Sequence, residues 1–153
     1  MMNLLKPLKI KSIILPNRVS VGSMCQYSAE KGNPSLWHYG HLQNLAQSGA
    51  GLLMLESTAV SMEGRISKKD LTLFNNNNFK EFAKLRKHLK SVSDIPVGIQ
   101  ISHSGRKGSA YIPWVKPNTS LKEKIGGWST VAPSAIKRDK KWPIPKALNL
   151  KKM

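Results

Sequence analysis

The sequence predicts an α/β fold built on parallel strands, either a closed barrel or a doubly wound sheet. Short apolar runs bounded by glycine or proline alternate with stretches of helical periodicity, the pattern of successive βαβ units. With 153 residues, 40% hydrophobic and 22% charged, the chain belongs to the globular class and is long enough to bury a real core. The single cysteine, Cys25, excludes an internal disulfide and a multi-cysteine metal site, and suits a reducing compartment. No apolar run reaches transmembrane length, and residues 1–6 carry no signal-peptide core behind them. A cytoplasmic location away from the membrane is therefore expected.

The elements follow in order. Residues 8–15 alternate and end at Pro16-Asn17, which predicts a short hairpin or strand pair. Val19 and Val21 mark a first β-branched strand that leads into Ser23-Met24-Cys25-Gln26-Tyr27. Residues 30–34 form a Gly- and Pro-containing loop. Ser35 is a plausible N-cap for a helix carried by Tyr39, Leu42, Leu45 and Ala46 and closed by Gly49. The run Gly51-Leu52-Leu53-Met54-Leu55 predicts a strand buried on both faces. Residues 61–78 read as a long polar loop. Phe79, Phe82, Leu85, Leu89 and Val92 then outline an amphipathic helix with lysines, and a solvated His88, outside. Residues 95–101 predict a third buried strand. Residues 102–145 hold most of the prolines and three of the four tryptophans, as an extended loop or small lid, and 147–153 look like the start of a third helix.

Lys and Arg number 25 against 8 Asp and Glu, a formal charge of +17. Such an excess invites polyanion binding, because lysines neutralise phosphates and release counterions. The basic residues nevertheless run from Lys6 to Lys152, many of them as single lysines. Only Lys137-Arg138-Asp139-Lys140-Lys141 is dense, and it falls in a loop between prolines. No finger or RNA-binding signature accompanies it, so a compositional bias is the simpler reading.

In either parallel architecture the chemistry gathers at the carboxyl ends of the strands. Those ends are residues 23–27, 56–59 and 100–107, and each carries polar or reactive groups. Cys25 there is either an inert core thiol or one tuned by nearby amides and polar groups. Gln100 presents a donor and an acceptor, suited to a heterocycle edge or equally to a neighbouring loop. His103, Arg106 and Lys107 make a basic loop that either holds an anion or pins the lid. His38 and His41, three apart on a helix, have metal-ligand spacing but no carboxylate-rich partner nearby in sequence, and read as structural. No phosphate-binding glycine loop and no nucleophile elbow is present.

The motifs Leu15-Pro16-Asn17-Arg18, Met24-Cys25-Gln26-Tyr27-Ser28, Glu56-Ser57-Thr58-Ala59-Val60, Gly64-Arg65-Ile66 and Gly98-Ile99-Gln100-Ile101-Ser102-His103-Ser104-Gly105-Arg106-Lys107 resemble the Old Yellow Enzyme family. The closest branch is similar to the thermophilic-like ene-reductases and xenobiotic reductases. Val131-Ala132-Pro133-Ser134-Ala135-Ile136 and Trp142-Pro143-Ile144-Pro145 continue the likeness in register, so it runs along essentially the whole chain. The resemblance implies a TIM (β/α)8 barrel that binds FMN non-covalently. It also implies an oxidoreductase that passes hydride from NAD(P)H through the flavin to an activated alkene of the enone type. Carried over by residue, Ser23, Met24 and Cys25 line the flavin, with Cys25 tuning its potential. Tyr27 faces the substrate, Ala59 meets the ring through its backbone, and Gln100 bonds the pyrimidine edge. Ser23 stands where the family has proline, which a backbone role tolerates, and Leu45 replaces an arginine, which puts one packing or ion-pair contact in doubt.

A complete TIM barrel needs about 250 residues. The resemblance therefore covers the N-terminal part of one, residues 1–153, holding the first three βα units with the N-terminal hairpin and a lid at 102–145. The histidine pair that binds the substrate carbonyl and the phosphate site of the last strands have no counterpart here. The expectation is a chain inactive alone, or one that pairs with a separately encoded second half or with itself. The alternatives are a non-catalytic half-barrel interaction protein and a basic nucleic-acid-binding module, of which specific nucleic-acid binding is the less favoured.

Overall fold

A computed structural model describes residues 3–149. Strands β1 (Leu8–Ile10) and β2 (Ile13–Leu15) pair antiparallel as the expected hairpin. Their turn is made by Lys11 in the left-handed region (φ +52°), and Pro16-Asn17 only leads away from it. Next come β3 (Ser20–Val21), α1 (Leu36–Ala46), β4 (Leu52–Ala59), β5 (Leu71–Thr72), α2 (Asn76–Val92) and β6 (Val97–Ser102). β3, β5 and β6 all pair parallel to β4, so β4 is the centre of the sheet. β6 runs along one edge of β4 from Leu53 to Ala59. β3 takes the lower part of the other edge and β5 its upper end.

Both helices cover one face of this sheet. Leu42 and Ala46 of α1, Leu85 and Leu89 of α2, Leu53 and Leu55 of β4, and Ile95 form one buried cluster. Each fully buried leucine contributes about 1.5–3 kcal/mol of transfer free energy. α1 starts at Ser35, as the sequence predicts, and Gly49 follows its end at φ +82°. α2 begins a turn earlier than its apolar spacing suggests, because the Asn75 side chain accepts the Asn78 amide proton at 2.9 Å. Phe79 is 67% exposed rather than core-facing. At 100° per residue it sits about 120° off Leu85, outside the apolar stripe. His88 is not free in solvent either. Its Nε2 lies 2.8 Å from Gln43 Oε1, and its ring packs on Tyr39.

Three further expectations are corrected. The polar stretch 61–78 contains β5 and the first residues of α2. β4 extends to Ala59, so 56–59 lies inside the strand and not after it. β6 is only partly covered: Ile99 packs on the core while Val97 and Ile101 are exposed. Beyond β6 the lid is irregular, as expected, with short 3-10 turns at Gly105–Lys107 and Glu123–Ile125. It also carries β7 (Val131–Ala132), paired parallel with β8 (Lys146–Ala147). Ala147, the first residue of the predicted third helix, belongs instead to β8, Leu148 and Asn149 are irregular, and 150–153 lie outside the described residues.

Candidate functional site

The carboxyl ends of the three parallel strands converge, and β4 carries an irregularity at that point. Leu55 pairs with Ile99, but Ser57, not Glu56, pairs with Gln100. Glu56 is the extra residue of a β-bulge, which swings a side chain off the ladder's alternation. The ladder then places Ser57 opposite Gln100 and Ala59 opposite Ser102, and the Ser57 and Ser102 hydroxyls meet. This row lies on the face opposite Leu53, Leu55 and Ile99, away from the helices.

Residues 23–27 pass along the edge of β4 between β3 and β5, beside the bulge. The Ser23 hydroxyl donates to the Leu55 carbonyl at 2.9 Å, and the Gln26 amide donates to Glu56 Oε2 at 2.9 Å. Cys25 is half-buried. Burial pushes its thiol up from the ordinary value, helped by the Asp70 and Glu56 charges and opposed by the Ser57 amide and Lys107. Met24 is 72% exposed. Tyr27 has φ +50°, a left-handed conformation that costs a non-glycine residue of order 1–3 kcal/mol. Its ring meets Trp114 of the lid edge-on, with centroids 5.6 Å apart. Burial, then Cys25, Asp70 and Glu56, raise its phenol.

Ala59 is buried at the end of β4. Gln100 is exposed, and its carboxamide makes no hydrogen bond among the described residues. The structure therefore brings Ser23, Cys25, Ala59 and Gln100 to one end of the sheet, with Met24 and Tyr27 on the same segment. The basic loop is less unified: Lys107 acts electrostatically on Cys25, the His103 ring accepts the Gly105 amide proton, and the Arg106 guanidinium reaches the Ile136 carbonyl.

Several contributors escape the sequence reading. His38 and His41 do not form a metal site, and no group of three metal-ligating side chains exists among the described residues. His38 is instead buried against Glu56, Nε2 to Oε1 at 3.0 Å. The sign available in sequence is a glutamate inside an apolar strand, which demands a buried partner. Asp70, also buried, accepts the Ile66 amide (2.7 Å), the Ser67 amide (3.2 Å) and the Ser67 hydroxyl (2.7 Å). Burial raises its carboxyl despite these bonds. The loop it ties down is the seat of the lid. Ser104 donates to the Gly64 and Arg65 carbonyls, the Ala110 amide to Ile66, and the Trp128 indole to Glu63. The Arg65 guanidinium lies 4.9 Å over the Trp128 ring, and burial lowers its pKa against the pull of Asp70.

The donor set suits a planar heterocycle. A free carboxamide, a thiol, and a small residue at the strand end, with the 23–25 backbone alongside, offer edge contacts and room for a ring. Comparisons with known proteins show the family and the fold. Residues 3–135 match the model of the NADH:flavin oxidoreductase / NADH oxidase family. An NADH:flavin oxidoreductase of Gibberella zeae, FG08077, is 39% identical over 92% of this chain and 35% of its own length. The NADPH dehydrogenase of Bacillus cytotoxicus is 34% identical over 95% of the chain and 38% of its own. The chain thus spans little more than a third of these relatives. Among solved structures, morphinone reductase in complex with tetrahydroNAD superposes with a TM-score of 0.79 at 20% identity, over 99% of this chain and 42% of that one. An old yellow enzyme homologue from Zymomonas mobilis gives 0.77 at 19%, over 98% and 41%. The fold is that of the leading part of such barrels.

Proposed function

The chain belongs to the NADH:flavin oxidoreductase / NADH oxidase family, and from that membership we propose that it supplies the first three βα units and the lid of an FMN-dependent ene-reductase barrel. In this reading residues 1–153 are the N-terminal part of that barrel and 102–145 its lid. The observation that supports it most is the gathering of Ser23, Cys25, Ala59 and Gln100 at one end of the β3–β4–β6 sheet, with the Gln100 carboxamide open. FMN bound there supplies the hydride relay from NAD(P)H to the β-carbon of an activated alkene.

The chain's own residues bind and orient. Gln100 offers a donor and an acceptor to the pyrimidine edge. Ser23 and Met24 present backbone groups along the ring, and Ala59 leaves space for its face. Cys25, a thiol kept protonated by burial and neighbouring carboxylates, sits beside the ring and adjusts its potential. Tyr27, turned by its left-handed backbone and steadied by Trp114, faces the substrate. In this reading the groups that clamp the substrate carbonyl and the FMN phosphate come from the rest of the barrel, outside residues 1–153. No helix among the described residues is long and apolar enough to cross a membrane; we propose a cytoplasmic location on the lone cysteine, which suits a reducing compartment.

The test is direct. The 153-residue chain purified alone is expected neither to retain FMN nor to reduce cyclohexenone, whereas adding the remaining barrel units in trans restores both. Turnover by the chain alone overturns the fragment reading. A completed barrel that binds no FMN overturns the flavin reading.

A further inference from the structure

A buried polar relay runs from the first helix to the cofactor-facing segment. His38 is 0% exposed and Glu56 5% exposed. The Ser35 amide donates to His38 Nδ1 at 3.0 Å, and the Ser35 hydroxyl donates to the Ser28 carbonyl at 2.8 Å. Because Nδ1 accepts a backbone proton, the imidazole proton is on Nε2, which donates to Glu56 Oε1 at 3.0 Å. Glu56 Oε2 in turn accepts the Gln26 amide. Every polar atom of the imidazole and the carboxylate thus has a partner. The two ends of the relay, Gln26 and Ser28, flank Tyr27, and Cys25 adjoins Gln26. The bulge at Glu56 is what aims the carboxylate at this segment while Ser57 goes to Gln100. A glutamate in a core strand carries a desolvation penalty, and general stability does not require it there.

We propose that His38 and Glu56 are a positioning pair that fixes the Gln26 amide, and with it the left-handed backbone at Tyr27 (φ +50°), so that Cys25 and Tyr27 are set at the cofactor and substrate. The inference rests on the flavin reading above. Glu56 acts on the Gln26 amide, and His38 acts through Glu56 by locking one carboxylate oxygen, so that the other stays on Gln26. Neither residue touches the ring.

The experiment uses the assembled barrel and three variants: Glu56→Ala, His38→Leu and His38→Gln. A glutamine at 38 keeps a donor where Nε2 stands, and a leucine does not. Two quantities are read, FMN affinity by fluorescence quenching and the alkylation rate of Cys25 by iodoacetamide, followed by mass on the tryptic peptide 19–31. The second needs no flavin. Glu56→Ala and His38→Leu are expected to alkylate Cys25 at least about fivefold faster and to bind FMN about tenfold more weakly. His38→Gln is expected to stay within about twofold of the parent in both. Wild-type rates in His38→Leu, or equal impairment of His38→Gln and His38→Leu, overturn the positioning pair, and this comparison holds even where Glu56→Ala fails to fold. A parent protein that binds no FMN sinks the flavin reading and this inference with it. A parent that binds FMN alongside unchanged variants sinks only the inference.

Discussion

Replacing Asp70 with alanine tests whether the lid depends on the loop beneath it. Three donors lose their acceptor: the Ile66 amide, the Ser67 amide and the Ser67 hydroxyl. A buried donor left unpaired costs about 1–3 kcal/mol. Ser67 is 1% exposed, so its amide bears that cost in full. Its hydroxyl is free to rotate to another partner, and the half-exposed Ile66 amide reaches water. Burial already holds the Asp70 carboxyl above its usual range, so its removal also returns part of a desolvation penalty. The net loss is about 2 kcal/mol. Since Ser104, Ala110 and Trp128 all bond to carbonyls of residues 63–66, the loss should appear in the lid first. Urea unfolding of the assembled barrel reads the stability, and limited trypsinolysis at Lys122 and Lys124 reads the lid. A loss under about 0.5 kcal/mol, the scatter of ordinary surface changes, together with unaltered cleavage, refutes the reasoning.

Other expectations follow from single contacts. Leu85→Ala empties a fully buried position between α1, β4 and α2, and should cost about 3 kcal/mol in urea denaturation. Gly32→Ala places a Cβ at φ +81° against the Thr72 hydroxyl, so it should both destabilise the protein and break the Thr72 bond to the Gly32 carbonyl, visible as faster exchange of the Thr72 amide. The Cys25 thiol has its folded pKa raised, so the stability it confers is complete below its unfolded value of about 8.5 and is lost as pH rises through the folded one. The alkaline decline in unfolding free energy should therefore flatten in Cys25→Ala, and an unchanged slope would count against the buried thiol.

The parallel αβ order, the Ser35 cap and the strand at 52–55 were legible because each rests on local chemistry. Apolar spacing, a capping side chain and glycine punctuation act within a few residues. The motif likeness added the family and its cofactor, and the family match bears out both. Phe79 was misread because a run of apolar residues does not state which of them falls on the packed stripe. His88 was misread because Gln43 and Tyr39 reach it from another helix. The start of the third helix at Ala147 was misread because Lys146–Ala147 pairs with β7, some fifteen residues earlier.

What the sequence by itself determined is the class of fold, the family and the residues at the strand ends. Only the tertiary structure decided how Cys25 and Tyr27 are held. The bulge that turns Glu56 toward His38, the Trp128 bond to the Glu63 carbonyl under the lid and the Trp114 contact on Tyr27 join residues 18, 65 and 87 positions apart. Such bonds follow from the register of β4 against β3 and β6, and that register is settled by burying Leu53 and Leu55 against both helices at once.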